Sequence, residues 1–141
     1  MKNYLIDTNI CIYFIKGRFD LKKKFEQVDP DNCFISEITL AELMFGVENS
    51  EKKEVNQKAL DNFLTGVKIV PIFHSLDLYA KEKARLRKKG TPIDEFDLLI
   101  GVTSVTHNLT MVTNNTSHFE IIKGIVLEDW TQPDVLPEPP A

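Results

Sequence analysis

At 141 residues the chain has the size of one globular domain, enough to bury roughly two-thirds of its unfolded surface in a single core. An apolar share of 43% and a charged share of 27% are ordinary for a protein in water, and no run of about eighteen apolar residues is available to cross a bilayer, so no membrane partner is expected. The net charge of −4 excludes a uniformly basic nucleic-acid binder, which leaves the distribution of the 17 Lys and Arg residues to decide any contact with phosphate.

Met1-Lys2-Asn3 leads directly into a short apolar run ended by Asp7. That run lacks the length of a signal h-region and a small-residue cleavage site, so a cytoplasmic location is expected. Residues 3–6 read as a strand, and Asp7-Thr8 supplies cap chemistry before Ile10, Cys11, Phe14 and Ile15 at helical spacing, with Gly17 closing the helix. Residues 33–35 form the next apolar run. Thr39-Leu-Ala-Glu42 follows in a capping-box pattern, predicting a helix that opens there and ends near Gly46.

Residues 50–65 place Val55, Ala59, Leu60, Phe63 and Leu64 on one helical face, residues 67–72 are strand-like, and residues 75–89 read as a helix stopped by Gly90. A further helix is expected over 94–106 and the last strands over 109–113 and 125–127. This alternation predicts an α/β fold over residues 1–130, a parallel central sheet with helices on both faces. Pro133, Pro137, Pro139 and Pro140 crowd the end, so residues 131–141 are expected to be a disordered tail. Cys11 and Cys33 stand in apolar surroundings without a second Cys or His at ligand spacing, which predicts buried, reduced thiols.

In a parallel sheet, ligands gather beyond the carboxyl ends of the strands, and Asp7 sits at such an end. Glu42 and Asp97 also fall at the predicted starts of helices, Asp97 three residues after Asp94. Each acid taken singly is equally explained as a helix cap. Three of them in one domain are different: carboxylates brought close together raise one another's pKa and destabilise the fold unless a cation neutralises them, which points to a hard, oxygen-ligated ion such as Mg2+, with Mn2+ as substitute. One ion, or a pair about 3.5–4 Å apart, suits attack on a phosphodiester. Lys81, Lys83, Arg85, Arg87, Lys88 and Lys89 lie in nine residues that contain one acid, Glu82. This is either a solvated helix surface or a phosphate-binding face, and Arg85, Arg87, Lys88 and Lys89 are the candidate RNA contacts.

The blocks Leu5-Ile-Asp-Thr-Asn9, Ile38-Thr-Leu-Ala-Glu-Leu43, Phe96-Asp-Leu-Leu-Ile100 and Val112-Thr-Asn-Asn115, with Ile125-Val-Leu-Glu-Asp-Trp130 near the end, resemble in order and spacing the signature of PIN-domain toxins of the VapC family. The resemblance covers residues 1 to about 130. It implies a PIN-like domain and a metal-dependent endoribonuclease that cuts structured RNA, commonly transfer RNA. It also implies a cognate VapB-type antitoxin, a homodimer and a larger toxin–antitoxin assembly. By this likeness Asp7 and Asp97 are the metal-ligating aspartates, Glu42 is the third acid, and Thr8, Asn9 and Thr113 line the site. The departure is at the fourth acid, where this chain has Thr113-Asn114-Asn115-Thr116, with Asn115 able to offer only an uncharged carbonyl oxygen. Asp94 is a candidate to compensate. His118 just beyond reads as a surface-loop histidine rather than a ligand or base.

Two other readings remain at this point. One is a non-catalytic PIN scaffold that binds RNA or protein with its acids serving as caps. The other is an aspartyl-phosphate phosphatase or receiver-like domain, which is disfavoured because such phosphatases need a second Asp where Asn9 stands.

Overall fold

The structure, a computed structural model, describes residues 2–133. Five strands, β1 (Tyr4–Ile6), β2 (Cys33–Ser36), β3 (Lys68–Val70), β4 (Thr110–Val112) and β5 (Leu127–Glu128), form one sheet in the order β3-β2-β1-β4-β5. All pairs are parallel, with Tyr4 opposite Cys33 on one side and Thr110 on the other. Seven helices connect and cover them: α1 (Thr8–Ile15), α2 (Leu21–Glu26), α3 (Glu37–Glu48), α4 (Lys53–Leu64), α5 (Leu76–Lys89), α6 (Glu95–Thr106) and α7 (Thr116–Phe119). None of the described helices is long and apolar enough to cross a membrane.

The strands are apolar without alternation because both faces are buried. Tyr4, Ile6, Cys33, Ile35 and Val112 point into one core with Ile10, Cys11, Leu43, Phe63 and Trp130. Leu5 and Met111 point into the other with Leu86, Leu98, Ile100 and Phe119. Both cysteines are free and buried, as expected.

The boundaries differ from expectation in ways with clear causes. Ser36 caps α3, its hydroxyl accepting from the Ile38 N–H at 3.0 Å, so this helix starts before Thr39 and the predicted capping box does not form. The helix also runs through Gly46 to Glu48, since one glycine costs a helix only about 1 kcal/mol. The helix expected from residue 50 begins at Lys53, β3 is confined to Lys68–Val70, and β5 falls two residues later than predicted. The short helices α2 and α7 were not anticipated, because six or four residues carry too little periodicity to read. Gly90 does end α5, with φ 72°.

Of the segment expected to be a tail, residues 134–141 lie outside the described residues. Its first residues are held to the domain: the buried Lys24 ammonium donates to the carbonyls of Trp130 and Gln132, and Thr131 donates through N–H and hydroxyl to Asp129 Oδ1 at 2.9 and 2.6 Å.

Candidate active site at the carboxyl ends of β1 and β4

The chain runs from β1 outward through β2 to β3, then returns to place β4 on the other side of β1, so the switch point of this sheet lies between β1 and β4. Asp7 follows β1 immediately, and its N–H donates to the Val112 carbonyl at 2.9 Å, tying it to the end of β4. As N-cap of α1 it accepts from the Thr8 N–H at 2.8 Å through Oδ1, while Oδ2 accepts from the Thr113 hydroxyl at 2.8 Å. The side chain is only 5% exposed. Burial pushes its pKa from 3.8 up to about 6 against those two hydrogen bonds, and the negative charges of Asp97 and Glu42 push the same way.

Glu42 lies in the second turn of α3 rather than at its start, which corrects the capping-box placement. Its Oε1 accepts from the Thr8 hydroxyl at 2.7 Å, and that hydroxyl also lies 3.0 Å from Thr39 Oγ1. Burial raises the Glu42 carboxyl above its ordinary value; the Thr8 bond opposes this and the charges of Asp97 and Asp94 add to it. Asp97 is in the first turn of α6, raised chiefly by burial and held down by His118. Asp7, Glu42 and Asp97 therefore lie within electrostatic reach of one another, brought by three helices that are remote in sequence. Among the described residues no Lys or Arg forms an ion pair with any of them.

The remaining predicted positions divide. Thr8 and Thr113 hold the carboxylates directly, and Asn9 is exposed in the first turn of α1. Asn115 is exposed as the cap residue of α7, makes no side-chain cap bond, and sends its N–H to Thr113 Oγ1 at 3.1 Å. Asp94 is the N-cap of α6, with its carboxylate turned onto the Asp97 N–H at 3.3 Å. His118 is corrected: instead of a surface-loop side chain it lies in α7 with Nε2 3.0 Å from Asp97 Oδ2. The usable signal was its place five residues after Thr113, on the segment that leaves β4 at the same strand end.

Arg85 is also corrected. Its guanidinium bonds Glu82 at 2.8 and 2.7 Å and the Ile121 carbonyl at 2.7 Å, so it fastens α5 to the segment after α7 and is not available to RNA. Glu82 is almost fully buried, and its hydrogen bond to Arg85 holds its carboxyl below the ordinary range. Arg87, Lys88 and Lys89 are exposed in the last turn of α5. Lys83 and Arg87 line a cleft with Glu95, in the turn of α6 that carries Asp97.

A negatively charged set of oxygen donors beside one imidazole suits a hard or borderline divalent cation. Among the described residues no three acidic, His or Cys side chains already enclose such an ion. The set is an open rim around the buried Asp7.

The family model of the PIN domain matches residues 4–124. The chain is 40% identical over 130 residues to Ribonuclease VapC2 of Rickettsia felis, covering 90% of this chain and 97% of that one. It is 32% identical over 131 residues to the tRNA(fMet)-specific endonuclease VapC of Salmonella typhimurium, covering 92% and 99%. Among solved structures, VapBC2 from Rickettsia felis bound to a DNA fragment from their promoter superposes with a TM-score of 0.85 at 38% identity, over 90% of this chain and 98% of that one. DNA-bound VapBC from Salmonella typhimurium also gives 0.85, at 32% identity over 92% and 99%.

Proposed function

The chain belongs to the PIN-domain family, and on that premise we propose that it is the toxin of a type II toxin–antitoxin pair, a cytoplasmic, Mg2+- or Mn2+-dependent endoribonuclease acting on structured RNA, with transfer RNA as its substrate. The observation that carries this reading is the buried Asp7 at the switch point, raised to about 6 beside Glu42 and Asp97 with no basic side chain paired to it. A fold has no stability reason to gather acids in this way, and helix capping explains Asp7 but not Glu42, which lies inside its helix. The names of the relatives supply the substrate class, and the solved VapBC complexes support a VapB-type antitoxin partner, a homodimer and a larger assembly.

Asp7, Asp97 and Glu42 are the residues that would hold the cation. When bound, it supplies the positive charge that lets these carboxylates ionise together and that stabilises the phosphodiester as water attacks it. The chain's own residues set the geometry. The Thr113 hydroxyl and the Thr8 N–H fix the Asp7 carboxylate, and the Thr8 hydroxyl holds Glu42 toward the same rim. Arg87, Lys88 and Lys89 are placed to engage RNA phosphates, and their attraction offsets the repulsion that an acidic site exerts on a polyanion.

The test is incubation of the purified chain with total RNA in Mg2+, in Mn2+ and in chelator, followed by mapping of new RNA ends. Metal-dependent cleavage of transfer RNA that is lost in Asp7→Asn and Asp97→Asn is expected. RNA binding without cleavage in any metal would return the chain to the scaffold reading.

A further inference from the structure

The segment that follows β4 links the site's two aspartates by a route that capping does not require. The Thr113 hydroxyl donates to Asp7 and accepts from the Asn115 N–H at 3.1 Å; α7 then begins, and His118 reaches Asp97 at 3.0 Å. His118 is set by its neighbour Phe119, which is 1% exposed in the core and meets the imidazole edge to face at 5.3 Å. Thus a rigid element delivers one nitrogen to the carboxylate rim, while the other candidates for a fourth group are committed elsewhere. Asp94 turns onto the Asp97 N–H and Asn115 stays exposed.

We infer that His118 is a direct nitrogen ligand of the divalent cation, paired with Asp97, so that this chain's site is a mixed carboxylate–imidazole one that favours Mn2+ over Mg2+. The inference rests on the metal-dependent reading of the site. Two donors adjacent on an octahedron with metal–ligand distances of about 2.1 Å stand roughly 3.0 Å apart, and His118 Nε2 and Asp97 Oδ2 are separated by 3.0 Å. A cation can therefore replace the hydrogen bond between them without moving α6 or α7. Imidazole is a poor partner for Mg2+, which prefers oxygen, and a good one for the transition metals. Both side chains are about one-third exposed, so an ion has a path to them.

The experiment uses Mn2+ as the probe on the full chain. Electron spin-echo envelope modulation reports whether imidazole nitrogen is bound to the ion, and a Mn2+ titration followed by electron paramagnetic resonance gives the affinity. The wild-type protein is expected to show nitrogen modulation. His118→Gln should lose it and bind Mn2+ at least about tenfold more weakly. His118→Glu should also lose it while gaining affinity for Mg2+ relative to Mn2+. Asp97→Asn should weaken the same Mn2+ signal, placing the ion at this pair. Mn2+ bound to the wild type without nitrogen modulation, or modulation that persists in His118→Gln from His74 or His107, overturns the inference and leaves the metal-dependent nuclease intact. Failure of the wild type to bind Mn2+ at all overturns both.

Discussion

The Thr113 hydroxyl lies 2.8 Å from Asp7 Oδ2, a hydrogen bond between residues 106 positions apart that joins the carboxyl ends of the two central strands. Thr113 is fully buried, so its hydroxyl replaces the water that Asp7 gave up. Thr113→Val keeps the shape and removes the donor. The variant should carry an Asp7 carboxyl raised beyond about 6, cost about 1–3 kcal/mol of stability at neutral pH, and cleave RNA at least tenfold more slowly, whereas Thr113→Ser should behave nearly as wild type. Thermal unfolding and single-turnover cleavage of the two variants distinguish the donor from mere packing.

Asp7 also makes the stability of the metal-free protein depend on pH. Because burial raises its pKa from 3.8 to about 6, the folded chain holds this proton more tightly than the unfolded chain. Its contribution is therefore greatest below about pH 4 and is lost as pH rises through about 6. In chelator near neutral pH, Asp7→Asn should be more stable than wild type by as much as about 3 kcal/mol, and the gap should close as the pH falls toward 4. A wild-type protein at least as stable as Asp7→Asn at neutral pH would contradict the burial of an unpaired carboxylate.

The basic end of α5 separates into structural and functional residues. Replacing Arg87, Lys88 and Lys89 together by Ala should weaken RNA binding and flatten its salt dependence, because fewer counterions are released on binding. Arg85→Ala should act on the fold instead. It leaves the buried Glu82 with only the Lys123 N–H and should cost about 3 kcal/mol, with a salt slope unchanged in the folded fraction. Filter binding at several salt concentrations, beside chemical denaturation, reads both effects.

Asp94 offers a similar division. Its carboxylate caps α6 through the Asp97 N–H, a task that Asn performs almost equally well. Asp94→Asn should leave both the metal requirement and the cleavage rate unchanged, and Asp94→Ala should lower stability by about 1 kcal/mol. Asn115→Asp adds a charge at the rim and should lower the Mg2+ concentration that gives half-maximal cleavage. A severalfold higher metal requirement in Asp94→Asn would restore Asp94 as the compensating acid.

Much of this protein was determined by sequence alone, through features that are local. The apolar strands at residues 3–6 and 33–35, the cap at Asp7 and the stop at Gly90 announce an α/β chain, because periodicity and capping depend on neighbours only a few residues away. Asp7, Glu42 and Asp97 could be singled out for the same reason. Tertiary structure decided what those residues meet. Ser36 displaced Thr39 as the cap and put Glu42 a turn inside α3, facing the hydroxyl of Thr8. Glu82 took Arg85 out of the basic face, and the short α7, invisible to periodicity, turned His118 onto Asp97. Such pairings join residues 3 to 106 positions apart. Most of them follow from the strand order, which brings β4 beside β1 through hydrogen bonds and core packing that no local pattern encodes.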